Sequence, residues 1–192
     1  MEVYIVTGNK HKLYEFKKIL EPLGYKVSKI EDINNEIEET GKTFEENAII
    51  KASYMSKKYN ITCISDDSGL EIDALNKEPG IYSARYLGHD TSYEYKNNVI
   101  IERLKNATDR TCRFVCAIAL VKPNGETKTF IGTIEGEVAY KIEGDNGFGY
   151  DPIFYYPPFN TTLACVSDEM KNSVSHRGKA IRKLVDYLEK NQ

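Results

Sequence analysis

An apolar, β-rich run, Ile61-Thr62-Cys63-Ile64-Ser65, stops at Asp66-Asp67-Ser68-Gly69-Leu70 and follows directly on a segment of helical period. A buried strand fed by a helix commits the chain to βαβ packing, in which ligands bind beyond the carboxyl ends of the strands. Two adjacent carboxylates at that place are positioned to hold a divalent cation and to activate water. Gly69 would let the backbone turn sharply there and approach a ligand closely. Asp-Asp-Ser-Gly is also ordinary turn chemistry, so the pair alone does not separate a site from a turn.

The preceding segments show the same alternation. Val3-Tyr4-Ile5-Val6 reads as a buried first strand. It is followed by Thr7-Gly8-Asn9-Lys10-His11-Lys12 and by a helix with Leu13, Phe16, Leu20 and Leu23 on one face. A strand, glycine turn and helix start expose backbone N–H groups where an anion is welcome, and the lysines in the turn favour phosphate. The turn lacks the second glycine and the Gly-Lys-Ser/Thr ending of a Walker A loop, and a plain β–α connection is the alternative reading. Residues 27–30 read as a second strand and residues 31–40 as a polar loop ending in Glu38-Glu39-Thr40-Gly41. Thr43-x-x-Glu46 is a capping box for a helix whose core face carries Phe44, Ala48, Ala52, Met55 and Tyr59. Asn47 and Lys51, one turn apart, share a different face. The opening is therefore β–α–β–α–β.

Downstream, Glu78-Pro79-Gly80-Ile81 is a turn leading into Tyr82-Ser83-Ala84-Arg85-Tyr86, and Thr91-x-x-Glu94 opens a helix with Asn97, Asn98, Ile101 and Leu104. Residues 113–121 are strongly strand-like, and Pro123-Asn124-Gly125 returns them into residues 127–133 as a hairpin. Residues 135–142 read as a further strand. The loop Gly144-Asp145-Asn146-Gly147-Phe148-Gly149-Tyr150-Asp151 is either an aromatic plug for the core or a platform on which a planar base can stack. Residues 167–172 form a short helix or turn, and Ile181, Leu184, Val185 and Leu188 mark an amphipathic terminal helix. His176 and Arg177 fall at its start, where cations oppose the helix dipole unless an anion or acceptor faces them.

Length and composition narrow the function. A chain of 192 residues suits one domain, or one domain with a subordinate lobe. Its formal net charge of −3 disfavours broad adhesion to nucleic acid or to a membrane surface, so neither is expected as a partner. No signal peptide is expected from the N-terminal residues, and the longest apolar run, 114–121, is far too short to span a bilayer. Cys63, Cys112, Cys116 and Cys165 have neither Cys-x-x-Cys nor zinc-like spacing, and buried free thiols in a cytoplasmic protein are expected.

In order along the chain, these motifs resemble those of the inosine/xanthosine triphosphate pyrophosphatases, also called XTP/dITP diphosphatases. The matching residues are Thr7-Gly8-Asn9-x-x-Lys12, Glu38-Glu39-Thr40-Gly41, Glu46-Asn47-Ala48-x-x-Lys51 and Asp66-Asp67-Ser68-Gly69-Leu70. They continue through Pro79-Gly80-x-Tyr82-Ser83-Ala84-Arg85-Tyr86, Phe148-Gly149-Tyr150-Asp151-Pro152-Ile153-Phe154, Lys171-Asn172 and Ser175-His176-Arg177-Gly178. Cys165 departs from the glutamate that many relatives carry there, at a position without an assigned chemical role.

The resemblance implies an α/β fold with a long mixed β-sheet flanked by helices, two lobes and a central active-site cleft. It also implies one domain over residues 1–192 and a homodimer. The implied reaction is Mg²⁺-dependent hydrolysis of ITP, dITP and XTP to the monophosphate and pyrophosphate. Asp67 becomes the general base, supported by Asp66, and Glu39 with Asp67 the metal ligands, although Glu38, Glu45 and Glu46 are neighbouring candidates. Thr7, Gly8, Asn9, Lys10, His11, Lys12, Lys51 and Ser68 become phosphate contacts. Phe148, Gly149, Tyr150, Asp151, Lys171, His176 and Arg177 become contacts to the purine end. A Maf-like nucleotide pyrophosphatase and a nucleotide-binding module without turnover are the alternatives.

Overall fold

The computed structural model describes residues 2–30 and 37–191. Residues 31–36 of the expected polar loop lie outside the described residues. In order, the chain forms β1 (Glu2–Val6), α1 (Lys10–Leu20), β2 (Lys26–Lys29), α2 (Phe44–Tyr59) and β3 (Cys63–Ile72). There follow α3 (Tyr93–Arg103), β4 (Thr111–Val121), β5 (Thr127–Val138), β6 (Phe154–Tyr156), β7 (Thr161–Thr162), α4 (Asp168–Val174) and α5 (His176–Lys190). The strands make one mixed seven-stranded sheet in the order β2-β1-β3-β4-β5-β6-β7. β1 is parallel to both β2 and β3, as a βαβαβ opening requires, whereas β6 is antiparallel to β5 and β7.

The chain divides into two compact units. The first comprises residues 1–68, 116–132 and 176–192, and the second residues 69–115 and 133–175. In the first unit the strands are apolar on both faces, because each face carries a helix. Ile5, Ile64 and Ile118 pack with Phe16 of α1 and with Ile181 and Leu184 of α5. Val6, Cys63 and Ala119 pack on the other face with Ala48, Ala52 and Met55 of α2. The core of the second unit gathers Leu70 and Ile72 with Ile100 of α3, Phe114 and Phe154, the last two rings stacked at 4.5 Å.

Five local expectations need correction. Tyr59, expected on the core face of α2, is 40% exposed at the last position of that helix. Helix α1 ends at Leu20, and Leu23 sits in the 3-10 turn Glu21–Leu23 and is 54% exposed, because Pro22 cannot continue the α-helical hydrogen bonding. Helix α3 takes Ser92 as its N-cap, whose hydroxyl accepts from the Tyr95 N–H, in place of Thr91. Residues 127–138 form one continuous strand, so no break separates 127–133 from the strand expected over 135–142, which stops at Val138. Most consequentially, β3 does not end at the acid pair. It runs on to Ile72 because Leu70 and Ile72 supply the core of the second unit, and Gly69 makes no sharp turn.

Candidate active site

Side chains of a strand alternate between its faces, and this periodicity sorts β3 in the first unit. Cys63, Ser65 and Asp67 face α2: Cys63 packs against Ala52, the Ser65 hydroxyl donates to the Ala48 carbonyl at 2.5 Å, and Asp67 meets Asn47. Ile64, Asp66 and Ser68 face α1 and α5, where Asp66 and Ser68 both meet Arg177. The acid pair is therefore not a paired ligand. Its two carboxylates point to opposite sides of the sheet and have different partners.

Asp66 is the anchor of a buried ion network. Lys12 Nζ lies 3.1 Å from its Oδ2, and Arg177 donates to the same oxygen through Nε at 3.2 Å and Nη2 at 3.1 Å. Arg177 also reaches Glu15 through Nη1 and the Ser68 hydroxyl through Nη2 at 2.7 Å. Burial alone would raise the Asp66 carboxyl, but the cations Lys12, Arg177 and Lys51 outweigh it and hold Asp66 below the ordinary carboxylate range. The anions demanded by Arg177 at the start of α5 are thus internal, namely Asp66 and Glu15. Glu15 was not singled out from the sequence; its place on the apolar side of α1, beside Phe16, was the available signal.

Asp67 is poised differently. Burial raises its carboxyl above the ordinary range, Glu39 and Asp66 add to the rise, and Lys51 and Lys12 only partly oppose it. Lys51 Nζ lies 3.3 Å from Glu39 Oε1, 3.9 Å from Asp67 Oδ1 and 2.8 Å from the Asp66 carbonyl oxygen. Of the four neighbouring glutamates, Glu39 is thereby tied to this centre. Glu46 instead accepts from the Lys42 N–H at 2.6 Å, and Glu45 from the Thr129 hydroxyl at 3.0 Å.

The Thr7-Gly8-Asn9 turn differs from an open anion nest. Asn9 caps α1, its Oδ1 accepting from the N–H groups of His11 at 2.9 Å and Lys12 at 3.2 Å. Its own N–H donates to the Thr7 hydroxyl at 3.1 Å. Three amides expected to face an anion, those of Asn9, His11 and Lys12, are thus already bonded. Lys12 turns toward Asp66, while Lys10 and His11 are exposed.

In the second unit, the loop of residues 144–151 divides its aromatics between both readings. Tyr150 is the plug: its hydroxyl donates to the Ser83 carbonyl at 2.6 Å and its ring meets Tyr93 edge-on at 5.2 Å. Phe148 is half-buried, with the Lys171 ammonium 4.8 Å above its ring. Asp151 joins the two, accepting on Oδ2 from the Phe148 N–H at 2.9 Å and from Lys171 Nζ at 2.6 Å. Gly147 holds φ at +72°, and a Cβ there would stand 2.2 Å from the same oxygen, so the loop closes this tightly only on glycine. His176 is buried at the first position of α5, in the first unit.

Among the described residues no group of three or more His, Cys, Asp and Glu could hold a metal alone. Glu39 and Asp67 nonetheless fit Mg²⁺, which takes one or two carboxylates and fills its octahedron with waters and substrate phosphates. On the opposite face of the strand, Asp66 Oδ1 is buried without a hydrogen-bond partner among the described residues.

Two carboxylates on β3, met by Lys12 of α1 and Lys51 of α2, define a phosphate-handling α/β protein. The chain belongs to the Ham1 family, whose model matches residues 3–187. It is 47% identical to the dITP/XTP pyrophosphatase of an Exiguobacterium species, over 96% of this chain and 95% of that one. To the dITP/XTP pyrophosphatase of Staphylococcus aureus it is 48% identical, over 100% of this chain and 98% of that one. The Ham1 protein of Staphylococcus aureus superposes with a TM-score of 0.90 at 47% identity, each chain fully covered. A nucleoside-triphosphatase, or dITP/XTP pyrophosphatase, of Mycobacterium abscessus does so at 0.76 and 38% identity, over 96% of this chain and 98% of that one.

Proposed function

We propose that residues 1–192 act as one domain that hydrolyses non-standard purine nucleoside triphosphates, dITP, XTP and ITP, to the monophosphate and pyrophosphate. The observation that carries the reading is the Glu39–Lys51–Asp67 centre: a buried carboxyl held above the ordinary carboxylate range stands beside a second carboxylate and a lysine. Full-length identity to pyrophosphatases acting on dITP and XTP supports the same substrates.

In the reaction Asp67 takes a proton from water, whose oxygen bonds to the α-phosphorus. The α–β phosphoanhydride bond breaks, and pyrophosphate leaves with the bonding electron pair. Lys51 and Lys12 place positive charge where the triphosphate carries about four negative charges. Glu39 and Asp67 would hold Mg²⁺, which when bound supplies further neutralisation of the phosphate oxygens. Ser68 adds a hydroxyl near the phosphates, and Thr7, Gly8, Asn9, Lys10 and His11 are assigned to the phosphate tail.

Base selection follows from the C6 substituent. Hypoxanthine and xanthine offer an oxygen acceptor there, whereas adenine offers an amino donor. Lys171, His176 and Arg177 are assigned to the purine end by resemblance, although Lys171 already donates to Asp151 and Arg177 to Asp66, Glu15 and Ser68. A donor that pairs with the oxygen and faces the amino group of adenine unpaired discriminates by about 10⁴-fold. Phe148, in the loop with Gly149, Tyr150 and Asp151, is the stacking face. Homodimerisation and a cytoplasmic location belong to the same proposal; no helix among the described residues is long and apolar enough to cross a membrane.

The deciding experiment measures pyrophosphate released from dITP, with ATP and GTP as comparators, before and after EDTA. Release from dITP that EDTA abolishes and Mg²⁺ restores is expected. Tight binding of dITP without pyrophosphate would instead establish the binding module.

A further inference from the structure

Asn47 lies in the first turns of α2, is fully buried, and has no place in the reaction as set out above. Its Oδ1 accepts the Gly41 N–H at 2.8 Å, and its Nδ2 donates to Asp67 Oδ2 at 3.2 Å. The amide can face only this way, because the flipped form would set its oxygen against a carboxylate and its NH₂ against an N–H. Gly41 closes the loop that carries Glu38 and Glu39, so one side chain spans from that loop to the strand that carries Asp67.

We infer that Asn47 is a positioning residue for hydrolysis: its amide locks the Glu39-bearing loop to Asp67 and so sets the two carboxylates in register. The inference rests on the proposed hydrolysis at Asp67.

Three further observations support the lock. A Cβ on Gly41 would lie 2.6 Å from Asn47 Oδ1, 2.7 Å from Glu46 Cβ and 2.9 Å from the Asn47 nitrogen. The loop reaches Asn47 only because residue 41 has no side chain. Asn47 itself is held by the capped start of α2, where the Thr43 hydroxyl accepts from the Glu46 N–H at 3.1 Å and the Thr43 carbonyl from the Asn47 N–H at 3.2 Å. At the far end of Asp67, Oδ1 accepts the Ser68 N–H at 3.1 Å. The carboxylate is thus fixed at one oxygen by the backbone and at the other by Asn47. Partners of this kind orient metal-binding carboxylates, and losing one costs about 10- to 100-fold in metal affinity or activity.

The test uses Asn47→Ala, which removes both bonds, and Gly41→Ala, which displaces the amide from the other side. Steady-state kinetics with dITP, Mg²⁺ affinity by calorimetry without nucleotide, and circular dichroism are measured for each. Both variants are expected to lose about 10- to 100-fold in kcat and in Mg²⁺ affinity. KM for dITP should stay within roughly threefold, since the lock touches no substrate-binding group. Folded variants that keep parental kcat and Mg²⁺ affinity would overturn the inference. If Asn47→Ala fails to fold, Asn47→Asp decides: it retains the acceptor for Gly41 but faces Asp67 with a carboxylate, and parental kcat there would equally overturn it. A parent protein that releases no pyrophosphate refutes the proposed function instead, and the calorimetric comparison still judges the lock.

Discussion

Lys171 Nζ lies 2.6 Å from Asp151 Oδ2, with each side chain only 4% exposed. A pair this deeply buried is costly to break from one side, because the surviving charge has no solvent to replace its partner. Asp151→Ala is therefore expected to destabilise the protein by about 3–5 kcal/mol in urea unfolding. It also frees the Phe148 N–H, so a folded remnant should show a raised KM for dITP.

Asp67→Asn retains the shape of the side chain and removes the base. A fall of about 10²- to 10⁴-fold in kcat for pyrophosphate release is expected, with the fold intact by circular dichroism. Turnover near the parental value at saturating Mg²⁺ would remove Asp67 from the chemistry.

Glu39 is the second proposed carboxylate of the Mg²⁺ site and is partly exposed. Glu39→Gln should raise the Mg²⁺ concentration for half-maximal rate by about tenfold or more, while excess Mg²⁺ recovers part of kcat. Glu46→Gln, acting on a residue bonded to Lys42, should leave that concentration nearly unchanged.

The ion network of Asp66 makes a prediction for stability against pH. Its folded carboxyl lies below the unfolded value of about 3.9. As pH falls the unfolded chain takes up the proton first, so the contribution of Asp66 is complete above about pH 4 and is lost as pH drops through the folded value. Measured by urea unfolding without metal, the gap between the parent and Asp66→Asn should narrow steadily below about pH 4.

Much of this was legible in the sequence because it rests on local periodicity. The βαβαβ opening, the Thr43 cap and the core faces of α2 and α5 all follow from spacings of two, three and four residues. Buried free thiols were also anticipated, and Cys63, Cys112 and Cys116 are buried, although Cys165 is exposed. What escaped was set by tertiary partners. Asp66-Asp67-Ser68-Gly69 has the composition of a turn, yet Leu70 and Ile72 draw the strand onward into a second core. Arg177 and Glu15 are distant in sequence, so nothing local revealed that they share a buried bond. Asn47 was visible beside Lys51 on a helix face, but its reach to both Gly41 and Asp67 depends on how α2 lies on β3.

The continuation of β3 through its acidic residues imposes a rule of parity. Loops of this chain can gain or lose residues at little cost, but one residue added or removed between Ile64 and Asp67 would exchange the two aspartates. Arg177 on one face and Asn47 on the other would then both meet residues other than their present partners. A substitution in this strand disturbs one contact, whereas changing its count from even to odd disturbs them all at once.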